Sequence, residues 1–292
     1  MSPTAGTTTV GILHPGSMGV AIASQLRRVG SQVVWDPTGR SPATIRRARE
    51  AGLTAVSGGL AELLRLSDVV IALCPPAAAE DVALQVAEHS PVGKVYVEAN
   101  AVSPERVRRI ADALPLAVVI DAAVIGSPPS GGKQPRFYVS GPGEGVDQLD
   151  RLFTATDVQV CPLGEEIGRA SALKLAYTSY QKVSRVLAAL AYGAAEANGV
   201  GRELLDIAAL RSGSYLAETD YVPKTAARAW RWAPELAEAA ELVAEAGLPD
   251  DLMRAAAVVL SRWEDVRDAD LSVEEALEKL REGIPRMVNP VL

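Results

Sequence analysis

Several things are scarce in this 292-residue chain. Aromatic residues make up 4% of it, too few to build stacking platforms for single-stranded nucleic acid. Positive charge is outweighed: 29 Lys and Arg against 36 Asp and Glu leave a net charge of -7, the wrong sign for a nucleic-acid binder. The two cysteines, Cys74 and Cys161, lie far apart and have no metal-ligand spacing, which argues against a disulfide framework or a metal site and for two reduced thiols. No apolar run approaches the roughly 20 residues needed to span a bilayer. The opening MSPTAGTTT has neither a basic n-region nor an apolar h-region, so a soluble cytoplasmic protein without a signal peptide is expected. The length suffices for two domains and a sizeable core.

What is present starts at Thr8 to Gly19, TTVGILHPGSMG. Val10, Ile12 and Leu13 read as a buried strand, and Val20 to Leu26 as a helix; the turn between them is His14, Pro15, Gly16, Ser17, Met18, Gly19. A strand, a glycine turn and a helix form the phosphate cradle of a dinucleotide-binding unit, with helix-start N–H groups facing the pyrophosphate. His14 stands where the G-x-G-x-x-G pattern places its first glycine, so on the glycines alone an ordinary βα turn fits as well. The substitution implies a somewhat wider first turn, with His14 and Pro15 against the cofactor.

A second strand, Gln32 to Trp35, closes on Asp36, 20 residues past Gly16, where an acidic side chain often bonds the adenosine ribose of NAD. The loop then continues through Pro37 and Gly39 to Arg40 and Ser41. A forked cation and a hydroxyl are what a 2′-phosphate needs. NADP is the favoured cofactor and NAD the alternative, the extra loop length turning Asp36 away. Arg46 and Arg47, one turn on, read more simply as solvated helix arginines.

βα alternation continues, implying a parallel sheet covered by helices on both faces. Helical stretches fall near Pro42–Gly52, Gly59–Arg65, Ala79–His89 and Pro104–Leu114. Strand-like runs fall at Asp68 to Leu73, Val95 to Glu98, Val118 to Asp121, Arg136 to Ser140 and Val158 to Val160. Two strands end in Cys74-Pro75-Pro76 and in the loop from Ala99 through Asn100 and Val102 to Pro104. Strand C-termini are where such sheets hold ligands, so these loops should border the nicotinamide. After Asp121 come Gly126-Ser127-Pro128-Pro129, then Ser130, Gly131, Gly132 and Lys133. Free amides at Gly126 and Ser127 suit a substrate carboxylate or carbonyl, and a glycine-rich hairpin connection suits the same residues.

From about Glu165 strand signals cease. Glu166 to Ala197 forms one helix of roughly 45 Å, stopped by Asn198-Gly199. Leu173, Leu175, Ala176, Val183, Val186, Leu187 and Leu190 surround it with apolar positions, which points to burial by more than one partner. Lys174, with Ala170, Ser171, Tyr177 and Thr178 at helical spacing, is either solvated or held in a cleft with a lowered pKa. Further helices follow, broken at Gly213, Pro223, Pro234, Gly247-Leu248-Pro249 and Asp270-Leu271-Ser272. One of them opens at Arg231-Trp232-Ala233-Pro234-Glu235-Leu236; Trp232 and Trp263 read as core. The tail Ile284 to Pro290 reads as irregular.

In their order, these motifs resemble the β-hydroxyacid dehydrogenase and 6-phosphogluconate dehydrogenase-like superfamily, over essentially the whole chain. The branch most resembled is the one whose C-terminal domain carries the DUF1932 label. GILHPGSMG is similar to the nucleotide turn G-x-G-x-M-G, and Glu98-Ala-Asn-Ala-Val-Ser-Pro104 to the D-x-S-T-x-S-P loop beside the nicotinamide. Asp121-Ala-Ala-Val-Ile-Gly-Ser127 is similar to the substrate loop D-A-P-V-S-G-G, and Gly168 through Lys174 to Thr178 to the catalytic block G-x-x-x-K-x-x-x-N. The resemblance implies an α/β protein: a Rossmann-type doubly wound domain over residues 1–163, then an all-helical substrate and dimerisation domain over 164–292. It implies a dehydrogenase acting on CH–OH, Lys174 as general acid or base, Ile125, Gly126, Ser127, Tyr177 and Thr178 near the substrate, and a homodimer that exchanges helical domains. No metal is implied. The departures narrow this. Ile125 replaces a carboxylate-holding serine, Ser127 a glycine and Thr178 an asparagine, and Pro234-Glu235-Leu236 stands where the pattern has K-D-L. A bulkier or less carboxylate-dependent substrate than a simple 3-hydroxy acid is therefore expected. An imine reductase, or a cofactor-binding protein without catalysis, are the alternatives.

Overall fold

The computed structural model describes residues 8–129, 131–210, 220–230, 232–233, 236, 240, 244 and 247–282. Ser130, Gly213, Arg231, Pro234, Glu235 and the tail 284–290, named above, lie outside them, as do the side chains of Val183, Val186 and Leu190. The chain divides into two units, residues 1–178 and 179–292.

The first unit holds one sheet: β1 Thr9–Leu13, β2 Gln32–Trp35, β3 Thr54–Ala55, β4 Val69–Ala72, β5 Val95–Glu98, β6 Val118–Ile125, β7 Arg136–Ser140 and β8 Gln159–Pro162, in the order β3-β2-β1-β4-β5-β6-β7-β8. The first six strands of that order are parallel, with helices α1 Ser17–Arg28, α2 Pro42–Glu50, α3 Gly59–Leu66, α4 Ala79–Ala87 and α5 Pro104–Ala113 between them in the chain. This is a doubly wound topology whose strand order reverses between β1 and β4, the place where such sheets open a ligand crevice. The expected all-parallel sheet needs one correction: β7 runs antiparallel to β6, and β8 is parallel to β7. The 126–135 connection is therefore the hairpin-type alternative. A long apolar run such as Val118–Ile125 fits a strand of either direction, so its pattern carries no sign of the reversal.

Alternating strand residues feed two cores. Val10, Ile12, Val69, Ile71, Val95, Val97 and Ile120 pack on one face with Ile22, Leu26 and Leu149; Leu13, Val70, Tyr96 and Val119 pack on the other with Leu63, Val86 and Ile110. Each buried aliphatic side chain contributes roughly 1.5–3 kcal/mol, so this two-sided burial fixes the register that aligns the strand ends. α1 ends at a glycine in the left-handed region: Gly30, at φ 96°, donates to the Arg27 carbonyl and Ser31 to that of Leu26. One helix, α6 Gly143–Phe153, escapes the sequence reading.

α7, Arg169–Ala197, begins in the first unit and ends in the second. The second unit is helical among its described residues: after α7 come α8 Gly201–Ala209, α9 Tyr221–Ala226, α10 Asp251–Ser261 and α11 Val273–Arg281. Pro223, expected to break a helix, sits in the first turn of α9, where its missing N–H has no intrahelical acceptor to lose. Small clusters hold this unit, one of Ala226, Ala229, Trp263, Val266 and Ala276 and one of Ala194, Ala240 and Met253. Trp263 is core as expected, its indole N–H donating to the Ala276 carbonyl at 2.8 Å, and Trp232 is half-buried.

Candidate functional site

The turn after β1 is built on His14. Its φ of 63° is the left-handed conformation that a glycine would normally supply. The turn is thus not widened, contrary to the expectation above: Gly16 N–H reaches back to the His14 carbonyl at 2.7 Å. α1 then starts at Ser17 with no side-chain cap and no acidic residue in its first turn. Val20 N–H makes the first helical bond, to Gly16, leaving the amides of Ser17, Met18 and Gly19 directed outward at the positive end of the helix. A Cβ on Gly16 would meet nothing within 4 Å, whereas one on Gly19 would stand 3.3 Å from the His14 carbonyl. Gly19 therefore permits the close turn, and Gly16 keeps the space above the amides open. This cradle fits a pyrophosphate.

The Asp36 carboxylate, at the end of β2, accepts the Thr38 N–H at 2.9 Å and is drawn into its own loop. Ser41 caps α2 and takes the Thr44 N–H. Arg40 is half-buried, and its Nε is buried without a partner. Its charge acts on both His14 and Cys74, that is, across the mouth of the cradle. Burial, with Arg40 adding to it, pulls the His14 pKa down to about 4, so His14 is neutral near pH 7; its Nδ1 also lacks a partner. Arg47, read as a solvated arginine, instead donates to the Pro15 carbonyl at 3.3 Å and ties α2 to the turn. Arg46 is exposed.

A cleft of about 460 Å³ opens from the cradle. Its lining joins Gly16, Ser17, Met18 and Gly19 to Cys74 and Pro75 after β4, Asn100 after β5, Ala123 and Val124 of β6, and Lys174 of α7. The structure thus brings residues expected at the cofactor, Gly16 to Gly19, Cys74, Pro75 and Asn100, together with Lys174, expected as the acid or base, on one cleft. Val102 does not join them; it is buried in the core beneath α5. Asn100 donates its side-chain amide to Glu98 and, at 3.4 Å, to the Cys74 sulfur. Burial, assisted by the Glu98 charge, pushes the Cys74 thiol up to about 11, so Cys74 serves as a small neutral wall.

Lys174 is placed by two contacts with β6. Asp121, fully buried, accepts the Gly168 and Ser171 amides at 2.9 and 3.0 Å, the Ser171 hydroxyl at 2.6 Å and the Ser140 hydroxyl at 3.1 Å. A carboxylate on another strand therefore supplies the anion at the start of α7. One turn later Lys174 Nζ donates to the Val124 carbonyl at 2.6 Å, three residues beyond Asp121 on the same strand. Asp121 was legible only as part of a motif; its partners lie 19 to 50 residues away. Tyr177 and Thr178 follow on α7 and are half-buried, outside the cleft lining. Ile125 ends β6 opposite Arg136, and Gly126, at φ 126°, and Ser127 start the connection to β7 beyond the cleft wall.

Comparison with known proteins matches both parts of the chain. Residues 9–102 match the family described as NADP oxidoreductase coenzyme F420-dependent, and residues 195–263 match the domain of unknown function DUF1932. An uncharacterised 28.5 kDa protein of Methanothermus fervidus is 27% identical over 58% of this chain, a match that spans 64% of that relative's length. A conserved protein of unknown function, whose structure resembles 3-hydroxyacid dehydrogenases, is 27% identical with a TM-score of 0.59, covering 93% of this chain and 99% of that one. An imine reductase of Pseudomonas sp. has a TM-score of 0.72 at 16% identity, covering 94% and 99%. A reductive aminase of Aspergillus terreus, solved with NADPH and ethyl levulinate, has a TM-score of 0.71 at 20% identity, covering 93% and 99%. The chain therefore joins a segment similar to F420-dependent NADP oxidoreductases with a DUF1932 segment, on the fold shared by 3-hydroxyacid dehydrogenase-like and imine reductase structures.

Proposed function

We propose that the protein is an NADP-dependent oxidoreductase acting on a hydroxy or keto carbon, with Lys174 as general acid or base. The observation that carries this reading is the cleft, whose lining holds both the glycine turn Gly16 to Gly19 and Lys174. The outward amides of Ser17, Met18 and Gly19 would hold the pyrophosphate. Arg40 and Ser41 would take the 2′-phosphate, and Asp36, engaged by Thr38, leaves that place to a phosphate rather than a ribose hydroxyl. A bound nicotinamide supplies the hydride chemistry. Lys174, tethered to the Val124 carbonyl, would give a proton to a substrate carbonyl oxygen as the ammonium in reduction, and take one from a substrate hydroxyl as the neutral amine in oxidation. Pro75, Pro76, Ala99 and Ala101 give the cleft a largely apolar wall that limits water around the reacting atoms. Ile125, Gly126, Ser127, Tyr177 and Thr178 remain the proposed outer substrate contacts.

The test is a panel of hydroxy acids, ketones and cyclic imines with cofactor absorbance as the readout, run on the parent and on Lys174→Met. Loss of at least about 100-fold in kcat with cofactor affinity retained is expected; turnover that survives the substitution overturns the role of Lys174. The likeness to an imine reductase and a reductive aminase favours one second reading, reduction of C=N, which preferential turnover of the cyclic imines would identify. A homodimer built through the helical unit completes the proposal.

A further inference from the structure

One buried polar atom beside the cleft, Asn100 Oδ1, has no hydrogen-bond partner; the Tyr96 hydroxyl and the Glu98 carboxyl, two residues apart on β5, engage each other. Unpaired buried groups cost free energy and are rare in folded proteins, so an amide oxygen left over beside the cleft calls for a cause. Glu98, the last residue of β5, is fully buried. Among the described residues no lysine or arginine pairs with it; the groups around it are Tyr96 on its own strand, Asp121 opposite it on β6, and Asn100 with Cys74 behind. Asp121 is taken up by four donors from β7 and the start of α7 and offers Glu98 no hydrogen bond. A fold that needed only a turn after β5 gains nothing from a second buried carboxyl here, since burial of an ionisable group without a cation is unfavourable.

Glu98 is used in one direction. Its Oε1 accepts both the Asn100 backbone N–H, at 3.1 Å, and the Asn100 side-chain amide. Of the side chains lining the cleft, Ser17, Cys74, Asn100 and Lys174 carry polar atoms, and Asn100 is the one amide. With both amide hydrogens of Asn100 turned toward Glu98 and Cys74, its oxygen is the atom left over. We infer that Glu98 is a positioning residue of the cofactor cleft: it locks the Asn100 amide so that the carbonyl oxygen is presented to an N–H or O–H donor on the nicotinamide nucleoside. The inference rests on the cofactor reading above. It also accounts for the side chain at position 98, where a glutamate reaches two residues forward to Asn100.

The experiment is fluorescence titration with NADPH, which requires no substrate, on the parent, Glu98→Gln, Glu98→Met, Asn100→Ala and the Glu98→Met/Asn100→Ala double variant, each checked for folding by circular dichroism. A glutamine keeps an oxygen that accepts from Asn100, so Glu98→Gln is expected to bind within about twofold of the parent. Glu98→Met removes the acceptor and should weaken binding about tenfold, as should Asn100→Ala. In the double variant the Met substitution should add less than about twofold, because its effect passes through Asn100. If Glu98→Met does not fold, Glu98→Ala carries the same comparison. Parent-like binding by Glu98→Met, or a full tenfold further loss on the Asn100→Ala background, overturns the inference alone. A parent protein that binds neither NADPH nor NADH overturns the cofactor reading and this inference with it.

Discussion

His14 and Glu98 respond to pH in opposite senses. Burial holds Glu98 at about 7 against its ordinary 4.5, with the Asp121 charge adding to it. The folded state thus keeps a proton that the unfolded chain releases above pH 4.5. The stability tied to that proton is complete below pH 4.5 and is lost as pH rises through 7; the shift is equivalent to about 3 kcal/mol. His14, moved from 6.5 down to about 4, is the reverse case: its contribution is complete above pH 6.5 and lost as pH falls through 4. Partial exposure makes the His14 contribution the smaller one. Relative to the parent, Glu98→Gln should therefore gain stability as pH rises from about 5 to 8. His14→Asn, which preserves a residue tolerant of positive φ, should gain as pH falls from about 7 to 4. Thermal midpoints across pH check both, and curves parallel to the parent's would remove these groups from the account. Arg40 gives a third residue-scale expectation. Arg40→Ala should weaken NADPH by about tenfold or more and leave NADH within about twofold in a fluorescence titration, since only the 2′-phosphate differs.

Helix α7 makes the case at the scale of elements. Its first turn is held by Asp121, and Gly168, at φ 109°, lets the chain enter that turn. A Cβ there would lie 2.8 Å from Arg108 Nη1 and 3.1 Å from Pro104 Cβ. The arginine can swing aside, so most of the cost of a side chain here is backbone strain. Gly168→Ala should cost about 1–3 kcal/mol, seen as a lowered thermal midpoint. Asp121→Ala leaves two amides and two hydroxyls without their acceptor and should cost more, roughly 3–5 kcal/mol, with Asp121→Asn in between. A midpoint for Asp121→Ala above that of Gly168→Ala would show that the carboxylate is not the anchor. These elements also mark what a sequence can reveal. β1, the glycine turn and α1 were legible because period and turn chemistry change together within a short stretch. The α7 stop was legible from Asn198-Gly199, where Gly199 takes φ 72°. α6 was missed although Val146, Leu149 and Phe153 mark a helical face, because Gly141-Pro142-Gly143 reads as loop. The reversal of β7, the anchor at Asp121 and the Glu98–Asn100 lock depend on pairings between stretches or on side-chain direction, and neither leaves a periodic trace. Most of the cleft lining was named from strand ends and motif resemblance, whereas Val102 lies in the core instead.

At the scale of the whole molecule, the described residues of the two units are unequally furnished with core. The first buries two continuous clusters, one on each face of its sheet. The second, among its described residues, buries two small clusters built largely of alanine, while larger apolar side chains stay outside. Leu205, Ile207 and Leu210 are 54%, 66% and 86% exposed on and just after α8, and Val258 is 63% exposed on α10. Scattered apolar residues need no explanation, but four this exposed among the described residues of the second unit agree with the proposed homodimer. No described helix is long and apolar enough to cross a membrane, which removes a transmembrane helix as the reason for their exposure. The expected outcome is a dimer by sedimentation velocity at micromolar concentration. Ile207→Glu with Val258→Glu should shift the population to monomer, because charges on a desolvated face are each opposed by about 1–3 kcal/mol or more. The substitutions lie outside the first unit, so NADPH affinity of the monomer should stay within about threefold of the parent. A parent that sediments as a monomer, or a variant that remains dimeric, would place these side chains outside any interface between copies.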